Sequence, residues 1–253
     1  MTTAYVALAA VFGAIVGSFL NVVAYRLPRG ESLSRPGSHC PSCDVPIKPY
    51  DNVPVLAWLW LRGRCRNCGE PISARYPLVE AGTAVLCAGA VIGQHNTGRA
   101  LLGIVLVLVL VPITLIDLDH QLIPDRITAP AAILAVVIGT ALDPGGEIER
   151  LIAGAAAGGF LFVAWYAYPG GMGFGDVKLA AVLGLFLGSA VGPAMLVALV
   201  SGVVVGLAIM RRVGVEAGRK TKVPFGPFLA LGGIVALYAG HAIVTTYLSS
   251  FGS

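Results

Sequence analysis

Charge is what this chain has least of. Only 12% of its 253 residues are Asp, Glu, Lys or Arg, about half the share of an ordinary soluble domain. With 57% hydrophobic residues and a mean hydropathy of +0.83, a soluble globular protein is excluded. No basic residue precedes the first apolar run, while Arg26, Arg29 and Arg35 follow it, the reverse of a cleavable signal peptide. The first helix is therefore expected to stay attached, with its N-terminus outside. There is no internal repeat, no low-complexity tail and no G-x-G-x-x-G behind a strand, so a soluble Rossmann-type cofactor site has no support. The net charge of +4 reports topology and contact with anionic lipid, and gives no reason to invoke nucleic acid.

What is present is a series of apolar runs: Tyr5–Val23, Leu78–Ile92, Leu101–Ile116, Ile127–Ala141, Leu151–Tyr168, Val177–Ser189, Val191–Met210 and Phe228–Tyr247. Several approach or fall short of the ~20 residues a helix needs to cross hydrocarbon. The expected fold is an all-α integral membrane protein of about eight transmembrane helices. With eight spans, 15 of the 17 basic residues fall on cytoplasmic connections and only Arg99 and Arg150 fall outside. That asymmetry supports an even number of spans and an outside C-terminus. The expected organisation is a first helix (1–23), a small cytosolic module (24–77) and a seven-helix membrane bundle (78–253). Gly154–Gly158 and Gly184–Gly188 are small-xxx-small pairs that permit close helix approach, though glycine is also simply frequent in membrane helices.

The cytosolic insertion holds Cys40-x2-Cys43, then twenty-one residues, then Cys65-x2-Cys68. Two CxxC knuckles at this spacing fit a tetrahedral structural zinc site. Two disulfides are the alternative, disfavoured because the basic flanks place the loop in the reducing cytoplasm. A module of ~50 residues has a small core, so a metal staple also answers a physical need. His39 would be a fifth ligand and is expected to face solvent, and Cys87, inside the second span, has no assigned role.

Carboxylates at bilayer depth are costly and point to function. Asp117, Asp119 and Asp125 lie in "IDLDHQLIPD" at the end of the third span, and Asp176 ends the glycine-rich "GGMGFGDVK" at the start of the sixth. Each has an ordinary reading: Asp125 as a helix cap or dipole partner, Asp119 as a solvated interface residue, Asp176 as a cap of the sixth helix. Asp117 and Asp176 stand apart because they end two spans on the same membrane face, where packing can bring them together. Two carboxylates within a few ångströms cannot both ionise, so one keeps a proton while the other acts as base. Such a pair can activate one water against a peptide carbonyl. Gly173 and Gly175 then leave room for an extended substrate backbone.

With Gly173-Phe174-Gly175-Asp176 and an upstream membrane-end Asp, the chain resembles the GxGD membrane aspartyl proteases. More closely it resembles the bacterial type IV prepilin peptidases, the bifunctional leader peptidase/N-methyltransferases. The likeness runs through "GSFLNVVAYRLP" at Gly17–Pro28, the paired CxxC, "RYPLVE" at Arg75–Glu80, "DLDHQLIPD", "GMGFGDVK" and "PFGPFLALGG" at Pro224–Gly233. The resemblance implies an eight-helix inner-membrane enzyme that removes the leader of type IV prepilins or type II secretion pseudopilins after a glycine, on the cytoplasmic side. It implies that Asp117 and Asp176 are catalytic, that the four paired cysteines are the family's tetrad in a methyltransferase-associated module, and that S-adenosylmethionine methylates the new N-terminus. Glu80 is a candidate for the methyl-donor site, with pairing to a nearby Arg as its ordinary role. A proton- or cation-coupled transporter predicts midplane carboxylates and related halves. A non-catalytic assembly platform for a pilus or secretion machine predicts no cleavage at all.

Overall fold

A computed structural model describes residues 3–94, 96–214, 216, 221 and 223–250. Arg219, Lys220 and Lys222 of the basic loop lie outside the described residues. The chain forms two compact units, Met1–His95 and Asn96–Ser253.

In the first unit α1 (Thr3–Arg26) packs along α3 (Arg75–Gly93). The approach is close enough that only glycine fits on the α1 side: a Cβ on Gly13 would stand 2.8 Å from the Thr83 carbonyl, and one on Gly17 3.1 Å from Cα of Glu80. Small residues thus bring α3 against α1. This places the unit boundary after α3, whereas composition alone draws it at Pro77. Between the two helices lie a short helix, α2 (Leu56–Trp60), and the two CxxC turns. Each turn is closed by a single antiparallel bridge, His39 to Pro46 and Arg64 to Pro71.

The second unit contains α4 (Thr97–His120), α5 (Asp125–Leu142), α6 (Glu147–Ala167), α7 (Phe174–Leu187), α8 (Val191–Val213) and α9 (Gly226–Val235). A π-helical turn (Ala236–Gly240) joins α9 to α10 (His241–Ser249). Leu106, Leu110 and Ile113 of α4 are fully covered, together with Leu179 and Leu183 of α7 and Leu229 of α9. Gly154, Gly158 and Gly184 all lie in the α6–α7 contact, whereas Gly188 is used differently, holding a turn at φ +58°.

Among the described residues, seven apolar helical stretches are long enough to cross a membrane, and one of them, Phe174–Val213, runs 40 residues. It is broken by the 3-10 turn Gly188–Ala190, and the chain reverses there. Along α8, Ala190 lies by Gly240, Ala194 by Gly232 and Gly202 by Phe225, so α8 runs antiparallel to α9 and α10. This stretch is therefore two helices, and α7, with 14 residues, is ~21 Å long, shorter than the hydrocarbon layer.

The reversal is tied down by charge. The Ser189 amide donates to Glu149 at 2.7 Å. Nearby, Arg150 donates to Asp143 at 2.7 Å and to Glu147 at 2.8 Å, and Arg99 reaches Asp143 at 3.1 Å. Arg99 and Arg150, the two basic residues expected outside, are thus both bound to carboxylates. Burial raises the Asp143 carboxyl, but Arg150 and Arg99 outweigh it and hold it below the usual carboxylate range.

Candidate active site and metal centre

The last turn of α4 carries Asp117, which is 5% exposed. The helix stops three residues later because Gln121 turns left-handed (φ 53°, ψ 44°) and returns its N–H to the Asp117 carbonyl. The chain then inserts Ile123 into the core and starts α5 behind Pro124, as expected of a proline just ahead of a helix. Asp176, 7% exposed, occupies the first turn of α7, where its Oδ2 accepts the Gly173 N–H at 3.2 Å. The third contributor is α9, whose first residue, Gly226, donates its N–H to Asp117 Oδ2 at 3.0 Å. A Cβ on Gly226 would lie 2.6 Å from that oxygen, so no other residue fits there unchanged.

Three helix ends therefore converge: α9 bonds to the end of α4 through Gly226 and Asp117, and the start of α7 packs on Ile123 just beyond α4. Each carboxylate has one oxygen engaged by a backbone N–H. Gly175 packs on Ile123, where a Cβ would come within 2.8 Å, so this glycine brings α7 onto the α4–α5 turn. Asp119 is exposed. Asp125 makes no side-chain cap. Instead it pairs with Lys178 of α7 at 2.6 and 2.8 Å, which ties α5 to α7 one half-turn beyond Asp176. Lys178 also lies 5.1 Å over the Phe174 ring.

The sequence alone does not mark Gly226, Ile123 or Lys178 as site components. One signal for Gly226 was there: a glycine followed by proline in "PFGPF" has the form of a helix start.

In the first unit the four paired cysteines come together, their sulfur atoms all within 4.8 Å of one another. Cys40 and Cys68 sulfurs are 3.8 Å apart, matching the ~3.8 Å between two sulfurs bound at ~2.3 Å to one tetrahedral ion. The cysteines are free thiols, so the two-disulfide alternative is not adopted. Both knuckles use the same turn: Cys40 and Cys65 donate N–H to Val45 and Glu70, and accept from Asp44 and Gly69. Amide N–H groups of Cys68 and Asn67 pull the Cys65 thiol down to about 7. A Glu70 amide draws Cys68 down, but burial and the other thiols outweigh it and push it up to about 12. The donor set fits a thiophilic divalent ion such as zinc.

Glu80 is buried but does not pair with an arginine. Its Oε2 accepts the Val55 N–H at 2.7 Å.

Comparison with known proteins gives a consistent result. Residues 11–93 match the Bacterial Peptidase A24 N-terminal domain, and residues 104–210 match the Type IV leader peptidase family. The chain is 37% identical to a prepilin leader peptidase/N-methyltransferase of Aeromonas hydrophila, over 98% of this chain and 95% of that protein. A protein of the same name from Stutzerimonas stutzeri is 36% identical, over 97% and 94%. A type 4 prepilin-like proteins leader peptide-processing enzyme of Escherichia coli is 36% identical, over 91% and 93%. No solved structure matches.

Proposed function

The chain belongs to the type IV leader peptidase family, and we propose on that footing that it is a membrane aspartic endopeptidase that removes prepilin leaders and N-methylates the product. It is a multi-pass bacterial membrane protein. The observation that carries the peptidase reading is the buried Asp117/Asp176 pair at converging helix ends, each oriented by a backbone N–H. Oδ2 of each is engaged, which leaves Oδ1 of each for the chemistry. The ionised Asp takes a proton from water while the protonated Asp polarises the scissile carbonyl. The water oxygen bonds to that carbon, the C–N bond breaks, and the amine leaves with a proton from the pair. The leader ends in a carboxyl group at its glycine and the mature protein begins with a free amine.

The site lies on the cytoplasmic face, both termini lie outside, and type II secretion pseudopilins are substrates alongside prepilins. Cys40, Cys43, Cys65 and Cys68 would hold a zinc ion, which would tie the two knuckles together and supply folding free energy. Methyl transfer is supported by the relatives' printed names and uses S-adenosylmethionine. Among the described residues there is no β-strand, so a Rossmann-type crevice is not found there for the nucleoside.

The experiment is leader release from a prepilin by the purified protein in detergent, followed by mass spectrometry. Cleavage after the leader glycine is expected, with Asp117→Asn and Asp176→Asn folded but inactive. Intact substrate with folded wild-type protein would support a transporter or an assembly platform instead.

A further inference from the structure

The segment between the two cysteine knuckles does not behave like a water-exposed loop. Pro54 and Leu56 close a three-residue turn through a Leu56 N–H to Pro54 carbonyl bond of 2.6 Å, and its central residue, Val55, sits at φ 61°, ψ −52°. This is the rare, strained γ-turn, here at a β-branched residue, and such strain persists only where the surroundings impose it. The imposing group is Glu80, which takes the Val55 N–H on its buried carboxylate.

Depth explains the arrangement. α1 has 24 residues and is ~36 Å long, against a hydrocarbon layer of ~30 Å. Only about 6 Å of it is left over for both headgroup regions. The Glu80 backbone is level with Gly17, nine residues or ~13 Å from the Arg26 end. Even with all the overhang on that end, Glu80 is anchored inside the hydrocarbon, and its side chain reaches back toward the boundary to hold Val55. Irregular backbone at this depth needs internal partners for its N–H groups. The Glu80 and Pro54 bonds supply them.

Beyond the turn the chain is apolar and uncovered. Leu56 is 65% exposed, Leu59 58% and Trp60 82%. A groove of about 730 Å³ joins this patch to the membrane-spanning face of α1, lined by Phe19, Val22 and Arg26 on one side and Val53, Pro54 and Leu56 on the other. The medium that covers α1 therefore continues onto α2. Arg62 and Arg64 come directly after it and are exposed, and positions 24–77 hold eight basic residues against four acidic ones.

We propose that residues 49–64 seat the cysteine module on an anionic bilayer surface. Leu56, Leu59 and Trp60 enter the headgroup–hydrocarbon boundary and Arg62 and Arg64 meet lipid phosphates, while Glu80 positions the turn. Tryptophan beside basic residues is the composition of such a boundary. The module is thus a membrane-docked body whose distance from the bilayer is fixed by one buried carboxylate.

The test uses the full chain in lipid nanodiscs with acyl chains brominated near the headgroup, comparing wild type with Trp60→Phe. The wild type should lose more tryptophan emission, and the excess should grow when phosphatidylglycerol replaces phosphatidylcholine. Glu80→Leu should abolish the excess and Glu80→Gln, which keeps an acceptor, should retain it. Equal quenching of wild type and Trp60→Phe with water-like Trp60 emission overturns the proposal. Equal quenching with buried-type emission that depends on protein concentration also overturns it, in favour of a second copy covering the patch. The readout is independent of proteolysis, so its failure and the failure of the peptidase reading are separately visible.

Discussion

Replacing Gly226 by alanine adds a single methyl group, and the structure fixes where it goes. The new Cβ would stand 2.6 Å from Asp117 Oδ2 and 3.1 Å from its Cγ, against an ordinary contact of at least 3.4 Å. Either the carboxylate or the start of α9 must give by ~0.8 Å, the difference between those two distances. Both are buried, and the carboxylate also loses its hydrogen bond from the Gly226 N–H. A misplacement approaching 1 Å in reacting geometry costs on the order of 100-fold in rate, or ~2.7 kcal/mol of transition-state stabilisation. Helix propensity does little to offset this, because Gly226 is the first residue of α9 and the advantage of alanine over glycine belongs to a helix interior. The expectation is a kcat ~100-fold lower, with KM little changed and a proportionally smaller loss of stability. Steady-state leader cleavage in detergent, with thermal melting of the same sample, measures all three. A kcat within a few-fold of wild type would show that Asp117 is not held by this contact, and an equal loss of kcat and stability would reduce Gly226 to a packing residue.

Asp119→Asn should keep most cleavage, because Asp119 is exposed while the pair is buried, whereas Asp125→Asn should cost up to ~1 kcal/mol of stability through its exposed Lys178 pair; complete inactivity of a folded Asp119→Asn would put Asp119 in the reacting pair instead of Asp117. Cys65→Ser should lower bound zinc from one ion per chain and loosen the module, read by elemental analysis and proteolysis; unchanged metal content would exclude the four-thiolate site. Asp143 has a depressed folded pKa, so its contribution to stability is full above its unfolded value of ~3.9 and is lost as pH falls through the folded one. Asp143→Asn should therefore melt well below wild type at neutral pH, with the gap closing in acid; a gap that is the same at both pH values refutes the ion-pair account. Cysteine labelling should reach positions Asn96 and Ser250 from outside intact cells but not Pro49 or His120, and outside labelling at Pro49 would invert the topology.

Much of this was legible because membrane helices declare themselves by composition. The apolar runs match α1 and α3–α8 closely, and ending two spans on one membrane face set Asp117 and Asp176 apart from Asp119 and Asp125. The cysteine tetrad was legible because its ligand spacing is local. What escaped depends on contacts between distant positions. Gly226 meets Asp117 across 109 residues of sequence, and nothing near either residue specifies that meeting. Arg99 and Arg150 stand as exceptions to a charge rule, yet they brace the α5–α6 turn. For Glu80 an arginine is the ordinary partner to expect from sequence. Its partner is a backbone amide, which no count of side-chain charges includes.

The bond from Gly173 N–H to Asp176 Oδ2 changes how the Gly-x-Gly-Asp string should be read in other chains. That bond needs an acceptor of the right shape and nothing more, so an asparagine there would begin the helix equally well. A dead descendant of this enzyme could keep both glycines and an amide at the fourth position, fold normally, and still look like a hydrolase to a pattern search. The string is a statement about how a helix begins. Whether it also hydrolyses anything is decided by the one atom that separates Asp from Asn, and by a second acid far upstream.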